Sequence, residues 1–210
     1  MSAPLSDEGL TQDGLSALKG ASILVLACGA LAREILAVLK ANKLDHVDLQ
    51  CLPAILHNTP DKIPDAVRAA VADHAANYDK IFVAYADCGT GGLLQAACAE
   101  LGVEMIDGPH CYSFFEGNAI FEARDEFTAF YLTDFLVRQF DAFVTKPLGL
   151  DRHPELRDMY FGNYTKLVYQ AQIENPDLKA LAERHAETLG LAFEYRFTGY
   201  GDLAKSLQQL

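Results

Sequence analysis

The sequence is poor in basic residues and has no long apolar runs. Lys and Arg number 17 against 29 Asp and Glu, which gives a formal net charge of -12. A surface this acidic repels phosphate backbones and anionic lipids, so we expect neither a nucleic-acid partner nor a membrane partner. No apolar run approaches the roughly 20 residues that cross a bilayer. The N-terminal residues also lack the basic and apolar blocks of a signal peptide. The expected location is the cytoplasm.

Compact metal and nucleotide motifs are also missing. The 5 cysteines form no CxxC pair, and neither HExxH nor CxxCH occurs. The expected cytoplasmic location argues against an extracellular disulfide framework. The glycine-rich segment at residues 87–92 has neither GxGxxG nor the Lys of a P-loop. Any binding site must therefore be assembled by the fold from residues that are distant in the sequence.

Apolar strands and amphipathic helices alternate through the first half of the chain. Residues 22–27 form a continuous apolar run, which is typical of a strand buried on both faces. The pattern predicts strands at 22–27, 47–52, 80–85 and 103–106, and helices at 30–41, 63–78 and 93–101. This alternation favours parallel pairing with right-handed crossovers. We expect an α/β fold with a Rossmann-like parallel sheet of about four to five strands and helices on both faces.

The second half of the chain is rich in aromatic residues. Its pattern predicts helices at 122–143, 155–173 and 177–189, then a strand at 191–197 and a short C-terminal helix. Residues 112–190 are thus expected to form the helix-rich, aromatic part of a single α/β domain that spans 21–210. Residues 1–20, which are rich in Ser, Gly and Asp, are expected to form a flexible N-terminal arm.

Cysteine and histidine residues follow each predicted strand of the first half. Cys28 directly follows the first strand, and His57 lies in the loop after the second. Cys88 lies in the loop after the third strand, and Cys111 lies beyond the fourth. Open parallel sheets bind ligands at the carboxyl ends of their strands, so we expect these residues at one rim. Thiolate and imidazole are ligands of zinc, and iron is another candidate. The sequence predicts a metal site drawn from Cys28, His57, Cys88 and Cys111.

The exact set of metal ligands is left open, because a further histidine lies near this rim. His110 is an alternative ligand to Cys111 or His57, because neighbours on an extended segment face opposite ways. The two remaining cysteines, Cys51 in a predicted strand and Cys98 in a predicted helix, are assigned to packing.

A carboxylate and a glycine-rich turn are further candidates at the rim. Glu34, on the second turn of the first helix, is a candidate acid, base or carboxylate that orients a metal ligand. Gly89, Gly91 and Gly92 are candidate cofactor-binding residues, because a glycine turn before a helix can cradle an anion. The same glycines can also leave room for a ligand to approach Cys88.

Taken together, these motifs resemble a known family, the domain of unknown function 1638. The similar segments are ACGALAREI around Cys28, ILHNTP around His57, YADCGTGGL around Cys88, GPHCYSFFEG around Cys111, FYLTDFL at 130–136 and NYTKLVY at 163–169. The resemblance brings no established reaction, but it implies a companion of corrinoid-dependent methyl-transfer systems. The chain lacks a DxHxxG cobalamin signature, so we expect corrinoid proteins as partners and do not expect the chain to carry the corrinoid itself.

Three functions stay open at this point. The favoured one is a zinc or iron protein of one-carbon metabolism, a methyltransferase or its accessory, acting on a small-molecule substrate. Three protein ligands would leave a coordination position free for chemistry, and four would close the site. The second is a metal-free enzyme with Cys88 or Cys28 as nucleophile and His57 or His110 as base. The third is a non-enzymatic protein that binds an anionic metabolite, a cofactor or a partner protein. The oligomeric state is left open.

Overall fold

The fold is α/β and is built on two parallel sheets. The computed structural model describes residues 5–18 and 20–210. The strands are β1 (Ile23–Cys28), β2 (Val47–Leu52), β3 (Lys80–Ala84), β4 (Glu104–Met105), β5 (Ala129–Leu132), β6 (Lys166–Ala171) and β7 (Ala192–Phe197). The first four form a sheet in the order β2-β1-β3-β4, and the last three form a sheet in the order β5-β6-β7. All pairings between these strands are parallel. The predicted α/β class with a Rossmann-like sheet is confirmed.

Helices connect the strands, as parallel pairing requires. The α-helices are α1 (Asp7–Gln12), α2 (Ala32–Ala41), α3 (Ile63–His74), α4 (Leu93–Leu101), α5 (Cys111–Glu116), α6 (Asn118–Arg124), α7 (Asp134–Arg138), α8 (Arg157–Phe161), α9 (Pro176–Leu189) and α10 (Gly201–Leu207). Short 3-10 turns precede α2, α3 and α8, and a π-helical turn, Asp141–Thr145, follows α7. No helix among the described residues is long and apolar enough to span a membrane.

The chain folds into two compact units, each with one of the sheets. The first unit takes the described residues up to Phe114 together with Asp202–Leu210, and the second takes Phe115–Gly201. In the first unit, Leu24, Val25, Leu26 and Ala27 of β1 are fully buried. This burial explains the continuous apolar run of the sequence, because a central parallel strand is covered by helices on both faces.

In the part of residues 1–20 that the structure describes, the N-terminal segment packs onto the first sheet. Helix α1 begins after Ser6, whose hydroxyl accepts a hydrogen bond from the Gly9 N–H at 3.0 Å. Leu10 is only 1% exposed. Leu15 and Cys51 exchange backbone hydrogen bonds of 2.9 and 2.8 Å. Of the arm predicted at 1–20, residues 1–4 and 19 lie outside the described residues.

The second sheet has one apolar face and one charged face. On the apolar face, β5 and β6 contribute to a core with α7 and α9 that contains Leu132, Leu167, Tyr169, Ala171, Leu178, Ala182, Ala186 and Leu189. Helix α9 is capped by Asn175, whose side chain accepts hydrogen bonds from the backbone N–H groups of Asp177 and Leu178. The helix ends at Leu189, and the next residue, Gly190, caps it with a φ of 71°.

Two helices predicted for this half are wrong. Residues 122–143 were expected to be one helix, but α6 ends at Arg124, where Asp125 adopts a φ of 54°, and β5 follows. Residues 155–173 were also expected to be helical, but α8 ends at Phe161 and β6 occupies Lys166–Ala171. Both strands are apolar runs shorter than seven residues, which periodicity does not distinguish from buried helix.

Candidate functional site

The site lies in the first unit, where the order of the strands reverses. The chain passes from β1 to β2 on one side and then returns to β3 on the other side of β1. Ala27 pairs with Ala84, so Cys28, the last residue of β1, lies beside Tyr85 at the end of β3. Loops diverge at such a switch point and leave a crevice outside the carboxyl ends of the strands, which is where open α/β sheets bind ligands.

Two loops bring Cys88 and Cys111 to this crevice. The N–H of Asp87 donates to the Gly108 carbonyl, and the N–H of Cys88 donates to the Pro109 carbonyl, both at 3.1 Å. These bonds join the loop after β3 to the loop that leads into α5, whose first residue is Cys111. Cys88 itself has a φ of 47°, in the left-handed region that residues other than glycine rarely adopt. A cysteine held in this conformation indicates a role for its side chain, because glycine would fit the backbone better.

Each of these thiols faces a backbone N–H group. Backbone N–H groups lower the pKa of each thiol: Ala30 acts on Cys28, Cys111 and Ala86 act on Cys88, and Tyr112 acts on Cys111. Such interactions strengthen when the sulfur is a thiolate, because charged acceptors bind donors more tightly than neutral ones. The backbone is therefore arranged to receive negative sulfur at three positions.

Burial nevertheless keeps the thiols protonated at neutral pH. It raises the pKa of Cys28 to about 11 and, with the negative charge of Cys28, raises the pKa of Cys88 to about 12. Burial and the charges of Cys88 and Cys28 raise the pKa of Cys111 well above its usual value. These mutual effects show that the three thiols are electrostatic neighbours, although they come from three separate segments of the chain.

Cys51, assigned to packing, is buried in the core and is also an electrostatic neighbour of these thiols. It is 3% exposed on β2, where it pairs with Ala27. Burial and the charges of Cys28 and Glu34 raise its pKa well above the usual value. We call Cys28, Cys51, Cys88 and Cys111 the thiol cluster. Cys98 lies apart from it on α4, where Arg68 is its charged neighbour.

Glu34 lies close to the thiol cluster. It is only 4% exposed on α2. Its charge raises the pKa of both Cys51 and Cys111, though less than burial does. The structure therefore places this carboxylate beside the thiols, as its position in the sequence suggested.

The two histidines of the rim lie close to each other. His57 is in the 3-10 turn Ala54–Asn58, and burial together with the charge of His110 lowers its pKa. Burial also lowers the pKa of His110, and the charge of Asp87 opposes this shift. The His110 ring stacks on Tyr112, with 4.8 Å between the ring centroids. Both imidazoles are therefore mainly neutral at neutral pH, the form in which histidine binds a metal or acts as a base.

The glycine-rich turn binds a carboxylate of the protein itself. Asp87 accepts hydrogen bonds from the N–H groups of Gly92 at 2.8 Å and Gly91 at 3.2 Å, and from the Thr90 hydroxyl at 2.7 Å. Burial raises the pKa of Asp87, but these bonds outweigh it, and the net shift is downward. The N–H groups that were candidates for cofactor binding are thus bonded to Asp87 in this structure.

The candidate ligands are not arranged around a common point in the described structure. Across residues 5–18 and 20–210, no three or more His, Cys, Asp or Glu side chains are arranged so that they could hold a metal ion. The thiols are close enough to raise one another's pKa, but their side chains would have to move to coordinate an ion together.

One residue of the site was missed by the sequence reasoning. Tyr85 is 2% exposed and lies beside Cys28 on the adjacent strand, and its buried hydroxyl has no hydrogen-bond partner among the described residues. Burial and the charges of three cluster thiols raise its pKa far above the usual value. Its position directly after a buried strand, two residues before Asp87, was the available signal, but an aromatic residue there is also typical of plain core packing.

These features define an α/β protein with a buried thiol cluster at the switch point of a parallel sheet. A family model described as Protein of unknown function (DUF1638) matches residues 51–207, and the chain belongs to this family. The matched range includes Cys88 and Cys111, whereas Cys28 and Glu34 precede it. No curated protein matches the chain.

Proposed function

We propose that this protein binds a soft metal ion, zinc or iron, through the thiolates of Cys28, Cys88 and Cys111. The observation that carries the proposal is the convergence of three thiols from three separate segments at the switch-point crevice, each facing a backbone N–H group. Soft thiolate ligands select zinc and iron over magnesium and calcium. The ion would occupy the place where ligands of open α/β sheets commonly bind.

The electrostatics of the cluster support a cation. Buried thiols without a positive charge remain protonated, yet the N–H groups around them are aimed at negative sulfur. A bound cation removes this conflict, because coordination deprotonates a thiol and neutralises the resulting charge. Binding in the described structure would require the thiol side chains to move, because no three candidate ligands are arranged around one point.

The neighbouring polar groups suit the surroundings of such an ion. Three thiolates leave one coordination position, which His57, His110 or a substrate could fill. Glu34, buried beside Cys111, would hold a ligand in place or exchange a proton with a substrate bound to the ion. A zinc ion with an open position lowers the pKa of a bound thiol or water, and this is the chemistry it would supply.

The link to methyl-group metabolism is part of the proposal and comes from the family resemblance. In this form the protein acts in the cytoplasm on a small molecule, as a methyltransferase or as its accessory, and works beside corrinoid methyl-transfer proteins. A thiol-rich zinc or iron centre would suit this role, because a metal-bound thiolate is a suitable methyl acceptor near neutral pH.

A metal-free cysteine enzyme is less well supported. A nucleophilic cysteine needs a thiolate near neutral pH, and this is normally obtained from a neighbouring positive charge. Burial instead raises the pKa of Cys28 to about 11 and, with the charge of Cys28, that of Cys88 to about 12. The thiols would be poor nucleophiles without a bound cation.

Metal analysis of single-cysteine variants tests the proposal. The unmodified protein, purified without oxygen and reconstituted with zinc or iron, should hold about one ion per chain. Cys28→Ser, Cys88→Ser and Cys111→Ser should each lose most of it. Cys98→Ser is the matched control, because Cys98 is also buried but lies on α4 beside Arg68, and it should keep the ion. A protein that takes up neither metal after reconstitution would contradict the proposal.

A further inference from the structure

Strand β7 lies at an open edge of the second sheet. It pairs with β6 on one side, where the N–H groups of Ala192 and Thr198 donate to carbonyls of the β6 segment. Alternate residues of a parallel strand direct their backbone groups to the same side. The backbone groups of Phe193, Tyr195 and Phe197 therefore point outward, and they have no partner among residues 5–18 and 20–210.

The other sheet edges in the described part of the chain are short or covered. Strand β4 has two residues and β5 has four. The outer edge of β2 is covered, because Leu15 and Cys51 exchange backbone hydrogen bonds. Native proteins protect edges in these ways, since an open edge strand pairs readily with another chain. Strand β7 has six residues in unbroken register with β6, and its outer edge is neither short nor covered.

The two faces of β7 differ in their chemistry. Phe193 and Tyr195 pack against the apolar core of the second unit. Phe197 lies on the same face by alternation and is 54% exposed. Glu194 and Arg196 lie on the opposite face, where their side chains form an ion pair. A strand that pairs with this edge should therefore carry aromatic or apolar side chains on one face and charges of both signs on the other.

A second copy of β7 meets these requirements when the two strands run antiparallel and cross at Tyr195. Glu194 and Arg196 then lie opposite each other across the junction, and so do Phe193 and Phe197. Opposite charges and aromatic residues in such facing positions stabilise a sheet. The outward backbone groups of the two copies also meet, so that they form the hydrogen-bonded pairs of an antiparallel ladder.

Like charges disfavour the neighbouring registers. A crossing point between two residues would set outward backbone groups against inward ones, so the crossing point can move only by whole residues. A crossing at position 194 would place Glu194 opposite its own copy, and a crossing at position 196 would do the same for Arg196. Like charges directly opposite destabilise a strand pair. The sequence of β7 therefore selects the crossing at Tyr195.

We propose that the free edge of β7 is a homodimer interface, in which two copies of the chain pair antiparallel about Tyr195. The two three-stranded sheets then form one sheet of six strands. A two-fold contact of this kind uses both open edges and closes the assembly at two chains. The proposal rests on β7 and its neighbours in the second unit, so it is independent of the proposed metal site.

The mass of the full-length protein in solution is the first test. Sedimentation equilibrium should give the mass of two chains. Phe197→Pro should raise the dissociation constant of the dimer by about 10- to 100-fold, because it removes one outward N–H from each copy and therefore two interchain hydrogen bonds. Phe197→Ala keeps the N–H and should raise it by a smaller factor. Phe127→Ala is the matched control, since Phe127 is 84% exposed and lies outside β7, and should leave it unchanged.

Disulfide cross-linking tests the register and does not depend on the folding of Phe197→Pro. Tyr195→Cys places two thiols opposite each other, with a Cα separation of about 5.5 Å that a disulfide can span. Ala192→Cys is the matched control, because its two thiols would lie about 20 Å apart along the paired strands. Mild oxidation should link the two chains of Tyr195→Cys on a non-reducing gel and leave those of Ala192→Cys separate.

Three results would overturn the proposal. The first is an unmodified protein that remains monomeric. The second is a dimer whose dissociation constant is the same in Phe197→Pro, because another surface would then hold it together. The third is cross-linking of Ala192→Cys as efficient as that of Tyr195→Cys, which would exclude the crossing at Tyr195. Metal content is measured separately, so the failure of this proposal and the failure of the proposed function are distinguishable.

Discussion

At the scale of single residues, the backbone of Cys88 carries strain that serves its side chain. A left-handed φ in a residue with a Cβ costs about 1 kcal/mol or more, and glycine avoids this cost. The neighbouring Gly89, Gly91 and Gly92 also have positive φ values, so Cys88 adopts this conformation beside glycines that tolerate it freely.

Replacing Cys88 separates backbone strain from thiol function. Cys88→Gly should have a free energy of unfolding about 1 kcal/mol higher than Cys88→Ala, because only glycine relaxes the φ of 47°. Urea denaturation of the two metal-free variants measures the difference. Both should lose the proposed metal ion. Equal stability of the two variants would show that the strain is small.

Asp87 is the second residue whose role depends on its local backbone. Asp87→Ala removes the acceptor of the Gly91 and Gly92 N–H groups, which lie in the turn directly before α4. The free energy of unfolding should fall by about 1 kcal/mol, because the turn loses hydrogen bonds to its acceptor. Asp65→Ala, at an exposed acidic position in the first turn of α3, is the control and should change stability by less. A loss no greater than that of the control would contradict the role of Asp87 in this turn.

At the scale of secondary-structure elements, the charged face of the second sheet is held by an ion network. Arg196 on β7 bonds Glu116, Glu126 and Glu194, and its side chain is 11% exposed. Lys166 on β6 bonds Glu126 at 2.7 Å and Glu194 at 2.6 Å. The network links β6 and β7 to Glu116 and Glu126, two residues that precede β5 in the chain.

Removing the central cation should strongly destabilise this unit. Arg196→Met leaves three carboxylates without their shared partner, and the free energy of unfolding should fall by about 3 kcal/mol. Arg157→Met, which breaks the exposed ion pair with Asp158, is the matched control and should change stability by less than about 1 kcal/mol. Chemical denaturation measures both. Similar effects of the two substitutions would contradict a central role for Arg196.

The same network predicts a loss of stability in acid. Burial raises the pKa of Glu126, but hydrogen bonds from Lys166, Tyr131 and Arg196 outweigh it and lower the pKa to about 2. A depressed folded-state pKa stabilises the protein above the ordinary carboxyl pKa, and this contribution is lost as the pH falls toward 2. Unfolding measured between pH 5 and pH 2 should show a shallower decline in Glu126→Gln than in the unmodified protein. Parallel curves would show that Glu126 does not contribute.

Some helices and strands could be predicted from the sequence pattern alone, and others could not. Strands β1, β2 and β3 and helix α4 were predicted within about one residue of their observed bounds, because Gly, Pro or a polar residue marks the end of each. Strands β5 and β6 were predicted as helix. Their apolar residues, such as Phe130 and Tyr169, pack against α7–α9 and each other, and tertiary contacts of this kind override local pattern.

The approximate location of the candidate site could also be predicted from the sequence. Cys28, Cys88 and Cys111 follow strands, and a parallel sheet brings the ends of its strands together whatever the loops contain. Cys51 and Tyr85 could not be assigned in advance. Their types are common in cores, and only the register of β1 with β2 and β3 places them beside Cys28.

At the scale of the whole molecule, the N-terminal segment contributes to the first unit. Gly29, directly after Cys28, approaches this segment closely, since a Cβ there would lie 2.3 Å from the Leu10 carbonyl oxygen. The segment therefore packs against the loop that carries a proposed metal ligand, and its stability and that of the site are linked.

Truncating Leu10 tests this link. Leu10→Ala should lower the free energy of unfolding by about 2 to 4 kcal/mol, because a buried side chain is lost. Leu18→Ala is the control, since Leu18 is 86% exposed, and should have little effect. Thermal unfolding compares the two. Equal melting temperatures would indicate that residues 5–18 act as the free arm expected from their composition.

The division of the chain has a consequence for its synthesis on the ribosome. Helix α10 buries Leu203 and Leu207, and Asp202–Leu210 belongs to the first unit, although the second unit, Phe115–Gly201, is translated before it. The first unit therefore stays incomplete until the whole second unit has been translated. Domains otherwise tend to fold in the order of their translation. During that interval the surface that later receives Leu203 and Leu207 is open to chaperones.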